Sequence, residues 1–204
     1  MTAQPVHTGV ARPELTLPPA EAEALRMAYG DASCILEYGS GGSTVLASEL
    51  SGKRIFSVES DPDWSAKMCG YFAENPGQSP VDMVTADIGP TKEWGHPVDH
   101  SAWRRFPAYP LAVWDRLEAE GQAPEVVLVD GRFRAGCALA TAFRTQRPVT
   151  LLFDDYTPRK AYHAVEDFLG RPVTIGRMAV FDISPMPVPQ DRLLRVIELI
   201  SAPL

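Results

Sequence analysis

The chain is expected to fold as an α/β protein: a doubly wound, mostly parallel seven-stranded sheet with an antiparallel C-terminal hairpin and helices on both faces. Three observations predict it. Apolar runs of strand length alternate with stretches of helical spacing along most of the 204 residues. The inner runs, such as EVVLVDG and VTLLFDDY, are apolar almost throughout, as strands covered on both faces are. The last two apolar runs follow one another closely, which suggests a hairpin at one edge.

Taken in order, residues 1–19 hold four prolines and no periodicity, so they are expected to form an extended arm. A helix begins near Pro19, carries EAEALRMAYG at helical spacing and ends at Gly30. CILEYGSGG is a buried strand breaking into a glycine turn. STVLASELSG is a helix opened by Ser43 or Thr44 and stopped by Gly52. KRIFSVESD is the second strand, with acidic Glu59 directly after Val58. Residues 61–73 read as a helix capped by Asp61, with Pro62 at its first position. VDMVTADIG is the third strand. Residues 88–108 mix tryptophan, histidine and proline without a period, and 109–120 are helical. EVVLVDG is a strand, RAGCALATAFRT a helix, VTLLFDDY a strand, and 159–169 a helix. RPVTIGRMAVFDIS and RLLRVIELIS are expected to be the two closing strands. The domain organisation is thus an arm, 1–19, and one domain, 20–204, with a lid-like insertion near 88–114.

Composition narrows the function. A net charge of −7 argues against a nucleic-acid partner, for which a basic face is needed; RRF at 104–106 and GRFR at 131–134 are small basic islands. No apolar run approaches the roughly 18–20 residues of a membrane span. The polar, proline-rich start does not read as a signal peptide, so a cytoplasmic protein is expected. Cys34, Cys69 and Cys137 are scattered, which favours reduced thiols over a disulfide or zinc framework.

The first strand ends in Glu37-Tyr38-Gly39-Ser40-Gly41-Gly42-Ser43-Thr44. Glycines let such a turn approach a ligand closely. Ligands of parallel sheets bind beyond the carboxyl ends of the strands. Glu59 closes the second strand and is placed to accept the two hydroxyls of a ribose. Together these make a nucleoside-binding constellation. A dinucleotide fingerprint needs a third glycine where Thr44 stands. Glu37, so near the turn, repels a pyrophosphate and suits an ammonium group. That points to S-adenosylmethionine and away from NAD.

E-Y-G-S-G-G-S resembles the first motif of the class I S-adenosylmethionine-dependent methyltransferases, a Rossmann-like superfamily, with Ser43 in place of the third glycine. The resemblance extends over the element order from about 20 to 200. It implies cofactor contacts from Glu37, Gly39, Ser40, Gly41, Gly42 and Ser43. It also implies ribose contacts from Glu59 with Ser60, adenine contacts from Asp87 and Ile88, and a place for Asp130 at the sulfonium end.

Asp130 closes the fourth strand, and Asp154 and Asp155 close the fifth. Three carboxylates at neighbouring strand tips repel one another unless a cation, a proton or an ammonium group compensates, and oxygen-only ligands favour hard ions such as Mg²⁺. Asp130-Gly131 and Asp154-Asp155-Tyr156 resemble the metal-dependent O-methyltransferases of catechols and of macrocin. That resemblance implies a metal on Asp130, Asp154 and Asp155 and O-methylation of a small-molecule acceptor. Arg132 and Arg134 stand where those families are acidic and offer a metal-free neutralisation of the same carboxylates. Asp130, Asp154 and His163, one turn into the following helix, are the expected catalytic groups; His96 and His100 are further candidate bases. The rings and arginines of 91–114 suit an aromatic or anionic acceptor. Two other functions fit the turn: a non-catalytic module holding S-adenosylmethionine, and a nicotinamide-dependent dehydrogenase. For the latter, Tyr156-x-x-x-Lys160 is interrupted by Pro158.

Overall fold

The computed structural model of the protein describes residues 10–203; residues 1–9 of the expected arm lie outside them. Residues 10–18 run without helix or strand, with Leu17 buried and Arg12 paired to Glu49. The elements follow as α1 (Pro19–Asp31), β1 (Cys34–Tyr38), α2 (Gly42–Glu49), β2 (Arg54–Glu59), α3 (Pro62–Glu74), β3 (Val81–Thr85), β4 (Thr91–Lys92), β5 (His96–Pro97) and α4 (Ala108–Ala119). Then come β6 (Val126–Val129), α5 (Arg134–Arg144), β7 (Val149–Phe153), α6 (Glu166–Leu169), β8 (Val173–Ile175), β9 (Met178–Ile183) and α7 (Leu193–Ile200). No helix among the described residues is long and apolar enough to cross a membrane.

Seven strands form one sheet in the order β3-β2-β1-β6-β7-β9-β8. All neighbours are parallel except β7–β9 and β8–β9. The strand order reverses between β1 and β6, so a crevice opens beyond their carboxyl ends. Alternate residues of one strand feed different cores. Leu36, Tyr38, Val127 and Val129 pack with α4, α5 and α7. Ile35, Val126 and Leu128 pack with α1 and α2. Both faces are covered, which explains the continuous apolar runs.

Four expectations change. RLLRVIELIS is a helix: its polar residues Arg195 and Glu198 recur at a spacing of three, which is helical rather than the period of two of a strand. Val196 and Leu199 are its buried residues, and Gly136 of α5 lets Ile200 approach closely. The edge hairpin is instead made within RPVTIGRMAVFDIS, as β8 and β9 around a turn at Gly176, where φ is +57°. The insertion also has more structure than expected. It holds the β4–β5 pair, short 3₁₀ turns at Glu93–Gly95 and Trp103–Arg105, and then α4. Residues 159–169 begin as 3₁₀ (Lys160–Val165) and become α-helical only in α6.

Candidate functional site

The crevice at the strand reversal is built around two backbone turns that touch. Gly39 has φ +99°, and a Cβ there would lie 2.7 Å from the Gly131 nitrogen. Only glycine lets the tips of β1 and β6 meet backbone to backbone. The turn is held from several sides. Gly41 N donates to Thr44 Oγ1 at 2.9 Å, the hydroxyls of Ser40 and Ser57 lie 2.7 Å apart, and Trp64 Nε1 donates to the Ser40 carbonyl at 2.8 Å. Gly42 is pressed against the Glu14–Leu15 backbone, where no Cβ fits. The N-terminal arm therefore crosses the mouth of the turn.

Glu59 lines the crevice, held more tightly through one oxygen than through the other. Its Oε1 accepts from Ser60 N at 2.7 Å and Asp61 N at 3.0 Å, and its Oε2 accepts from Ser40 N at 3.3 Å. Burial raises its pKa, and these backbone donors oppose the rise. Ser60 is not on the cavity wall; its hydroxyl donates to the Gly95 carbonyl at 2.9 Å and ties the insertion to β2.

Three other expected cofactor residues lie elsewhere. Glu37 is wholly buried beneath the turn. Its carboxylate accepts from Tyr29 Oη at 2.6 Å and Ser57 Oγ at 3.2 Å. It braces the strand and is not on the cavity wall, because β1 points it into the core under α1. Burial raises its pKa. Asp87 is exposed and accepts two hydrogen bonds of 3.0 Å from Arg105, outside the cavity. Ile88 belongs to the core.

The carboxylates at the tips of β6 and β7 are gathered as expected, but their counter-ions are arginines. Asp154, 1% exposed, accepts from Arg177 Nε at 2.9 Å and Nη2 at 2.7 Å. Asp155 accepts from Arg159 at 2.9 Å and lies 3.2 Å from Arg177. Asp130 lies 3.1 Å from Arg134, whose guanidinium also donates to the carbonyls of Asp130, Gly131 and Asp154. The donor set does not fit a divalent ion: its charge is already compensated by Arg134, Arg159 and Arg177, the last of them bidentate on Asp154, and no acid or histidine cluster suited to a metal exists among the described residues. The Mg²⁺ site on Asp130, Asp154 and Asp155 is withdrawn on that ground. So is a catalytic role for Asp154, whose two oxygens are both taken. His163 is also displaced: its ring stacks on Tyr156 at 4.7 Å and Nε2 lies 3.2 Å from the Tyr156 carbonyl, off the cavity wall. Arg177 lies on the β8–β9 turn, and nothing local in the sequence ties it to Asp154, 23 residues away.

Asp130 remains open to the cavity, its side chain 33% exposed. Burial first, then Asp154 and Asp155, pushes its pKa up to about 7 against the pull of Arg134 and Arg177. The insertion contributes Trp94, Gly95 and His96 to the opposite wall. His96 Nε2 sits 2.6 Å from Arg132 Nη1. An arginine can only donate, so Nε2 accepts and the ring is neutral. Burial and the nearby arginines lower the His96 pKa. The whole cavity measures about 760 Å³, bounded by the arm, the turn 39–43, Glu59, the insertion and the tips of β6 and β7. That is room for a nucleoside and a second small molecule.

No family model matches the chain, and no curated protein does. Among solved structures it is similar to a methyltransferase-like protein from Silicibacter pomeroyi DSS-3. The two share 58% identity over 94% of this chain and 99% of that one, with a TM-score of 0.89. It also shares its fold with the O-methyltransferase TomG of Streptomyces achromogenes, involved in tomaymycin synthesis and solved with S-adenosylmethionine, at 14% identity, TM-score 0.55 and coverage of 84% and 82%. An O-methyltransferase of Bacillus cereus, solved with S-adenosylhomocysteine, compares at 14% identity, TM-score 0.53 and coverage of 81% and 82%.

Proposed function

Because the chain belongs to the methyltransferase-like family represented by the S. pomeroyi protein, we propose that it is a class I S-adenosylmethionine-dependent methyltransferase and that it methylates an oxygen of a small-molecule acceptor. The observation that carries this reading is one cavity joining the glycine turn and Glu59 to Asp130 and His96. S-adenosylmethionine, when bound, supplies an electrophilic sulfonium methyl group. The turn 39–43 and Glu59 are the residues that would hold it. Gly39 and Gly41 admit the ligand close to the backbone, and the free edge of the Glu59 carboxylate accepts ribose hydroxyls.

The remaining residues serve the acceptor. A hydroxyl must lose its proton as it attacks. Asp130, lifted to about 7, is the proton acceptor on the wall; the acceptor nitrogen of His96 is already taken by Arg132, so His96 orients that arginine. Arg134 fixes the Asp130 carboxylate, and Arg177 fixes the β7 tip beside it. The arm and the insertion both contribute to the cavity wall. Positioning of this kind is the main requirement of a direct displacement.

Titration calorimetry with S-adenosylhomocysteine and with NAD tests the cofactor, and transfer of a labelled methyl group to a panel of phenols and sugars tests the acceptor class. Binding of S-adenosylhomocysteine without NAD binding is expected. Tighter NAD binding sinks the reading.

A further inference from the structure

The arginines of the cavity wall fall into two kinds. Arg134, Arg159 and Arg177 each lie beside a carboxylate, at 3.1, 2.9 and 2.7 Å. Arg132 lies beside none among the described residues. It is only 9% exposed, and its Nε is buried without a hydrogen-bond partner. Its one side-chain hydrogen bond runs from Nη1 to the neutral His96. A neutral imidazole orients the guanidinium but leaves its charge uncompensated. Burial and the neighbouring Arg134 weigh against that charge and lower the Arg132 pKa. A desolvated cation with no anion is a costly arrangement, and such groups are ordinarily paired.

The backbone explains how Arg132 is kept in place. Its amide donates to Tyr109 Oη at 3.3 Å, and the next residue, Phe133, holds φ +52° and is fully buried. These fix the main chain from which the buried side chain springs. His96 occupies one terminal nitrogen; Arg132 lines the cavity, and the remaining N–H donors of a guanidinium are those with which arginine grips carboxylates and phosphates.

We propose that Arg132 is the binding residue for an organic anion, a carboxylate or phosphate group, held in the cavity next to His96. The proposal rests on the methyl-transfer reading only for which molecule brings the anion: the methionine carboxylate of the cofactor, or an acidic group on the acceptor.

Wild type, Arg132→Lys and Arg132→Gln are first compared by thermal melting. Each is then titrated with S-adenosylhomocysteine and with 5′-methylthioadenosine, which lacks the amino-acid end. Benzoate and inorganic phosphate are then tested as stabilisers of the loaded and of the unloaded protein. If the cofactor brings the anion, Arg132→Gln weakens S-adenosylhomocysteine by more than about tenfold and leaves methylthioadenosine unchanged. If the acceptor brings it, both nucleosides bind normally, and the melting-point gain that benzoate or phosphate gives wild type disappears in Arg132→Gln. Should Arg132→Gln not fold, Arg132→Lys is read in the same way, since it keeps the charge and loses the two-bond edge. The proposal is overturned if the variant matches wild type within about threefold for S-adenosylhomocysteine and neither anion stabilises wild type more than the variant. If wild type binds no S-adenosylhomocysteine, the methyl-transfer reading fails, and the anion arms on unloaded protein decide the Arg132 proposal alone.

Discussion

Replacing Glu59 by glutamine removes one charge and one acceptor while changing almost no volume. Two of the three backbone bonds to Glu59, from Ser60 and Asp61, converge on Oε1, and an amide oxygen can still accept both. The third, from Ser40 N to Oε2 at 3.3 Å, is long. In the variant an NH₂ group faces that donor and also faces the cavity. The fold therefore loses one weak bond, about 1 kcal/mol. A ligand ribose loses its bonds to a charged acceptor, about 1.5–3 kcal/mol, or roughly 10- to 150-fold in Kd. Calorimetric titration with S-adenosylhomocysteine, with urea unfolding as the control for stability, measures both. An affinity within about threefold of wild type refutes the argument that Glu59 is a ligand group. The raised Glu59 pKa adds a pH signature. Its carboxylate is the accepting form, so affinity weakens as pH falls, and does so from a higher pH than an ordinary glutamate would give.

Arg177→Ala leaves Asp154 buried without its bidentate partner and should cost about 2–4 kcal/mol of stability, less than a fully buried pair because Arg177 is partly exposed; urea unfolding reads it, and a loss under about 1 kcal/mol contradicts the assignment. Asp130 binds its proton more tightly folded than unfolded, so its contribution to stability is present below its ordinary carboxylate range and is lost as pH rises through about 7. Asp130→Asn should therefore gain stability relative to wild type between pH 4 and pH 8, by unfolding at several pH values, and a pH-independent difference would contradict the shift. Because arginines already neutralise the strand-tip carboxylates, EDTA should leave S-adenosylhomocysteine affinity and methyl transfer unchanged; loss with EDTA and recovery with Mg²⁺ would reinstate the metal.

The amino-acid sequence by itself determined the fold class and pointed to part of the cavity wall. Continuous apolar runs such as Val126–Val129 could only be strands covered on both faces. A glycine at 39, needed for its positive φ, marked the turn at the end of β1, and Glu59 at the end of β2 followed from the same parallel topology. These are local signals, carried within a few residues. What the tertiary structure alone decided is who meets whom. Glu37 shares the motif with Gly39, yet strand alternation sends it beneath the sheet to Tyr29. The run 193–200 is apolar enough for a strand, and its packing on α5 through Gly136 makes it a helix. Arg177 reaches Asp154 only because β9 returns antiparallel beside β7. His96 reaches Arg132 because the insertion folds back over the crevice, 36 residues away in sequence. Ion pairs and orphaned charges depend on distances between distant segments, and no spacing along the chain encodes them.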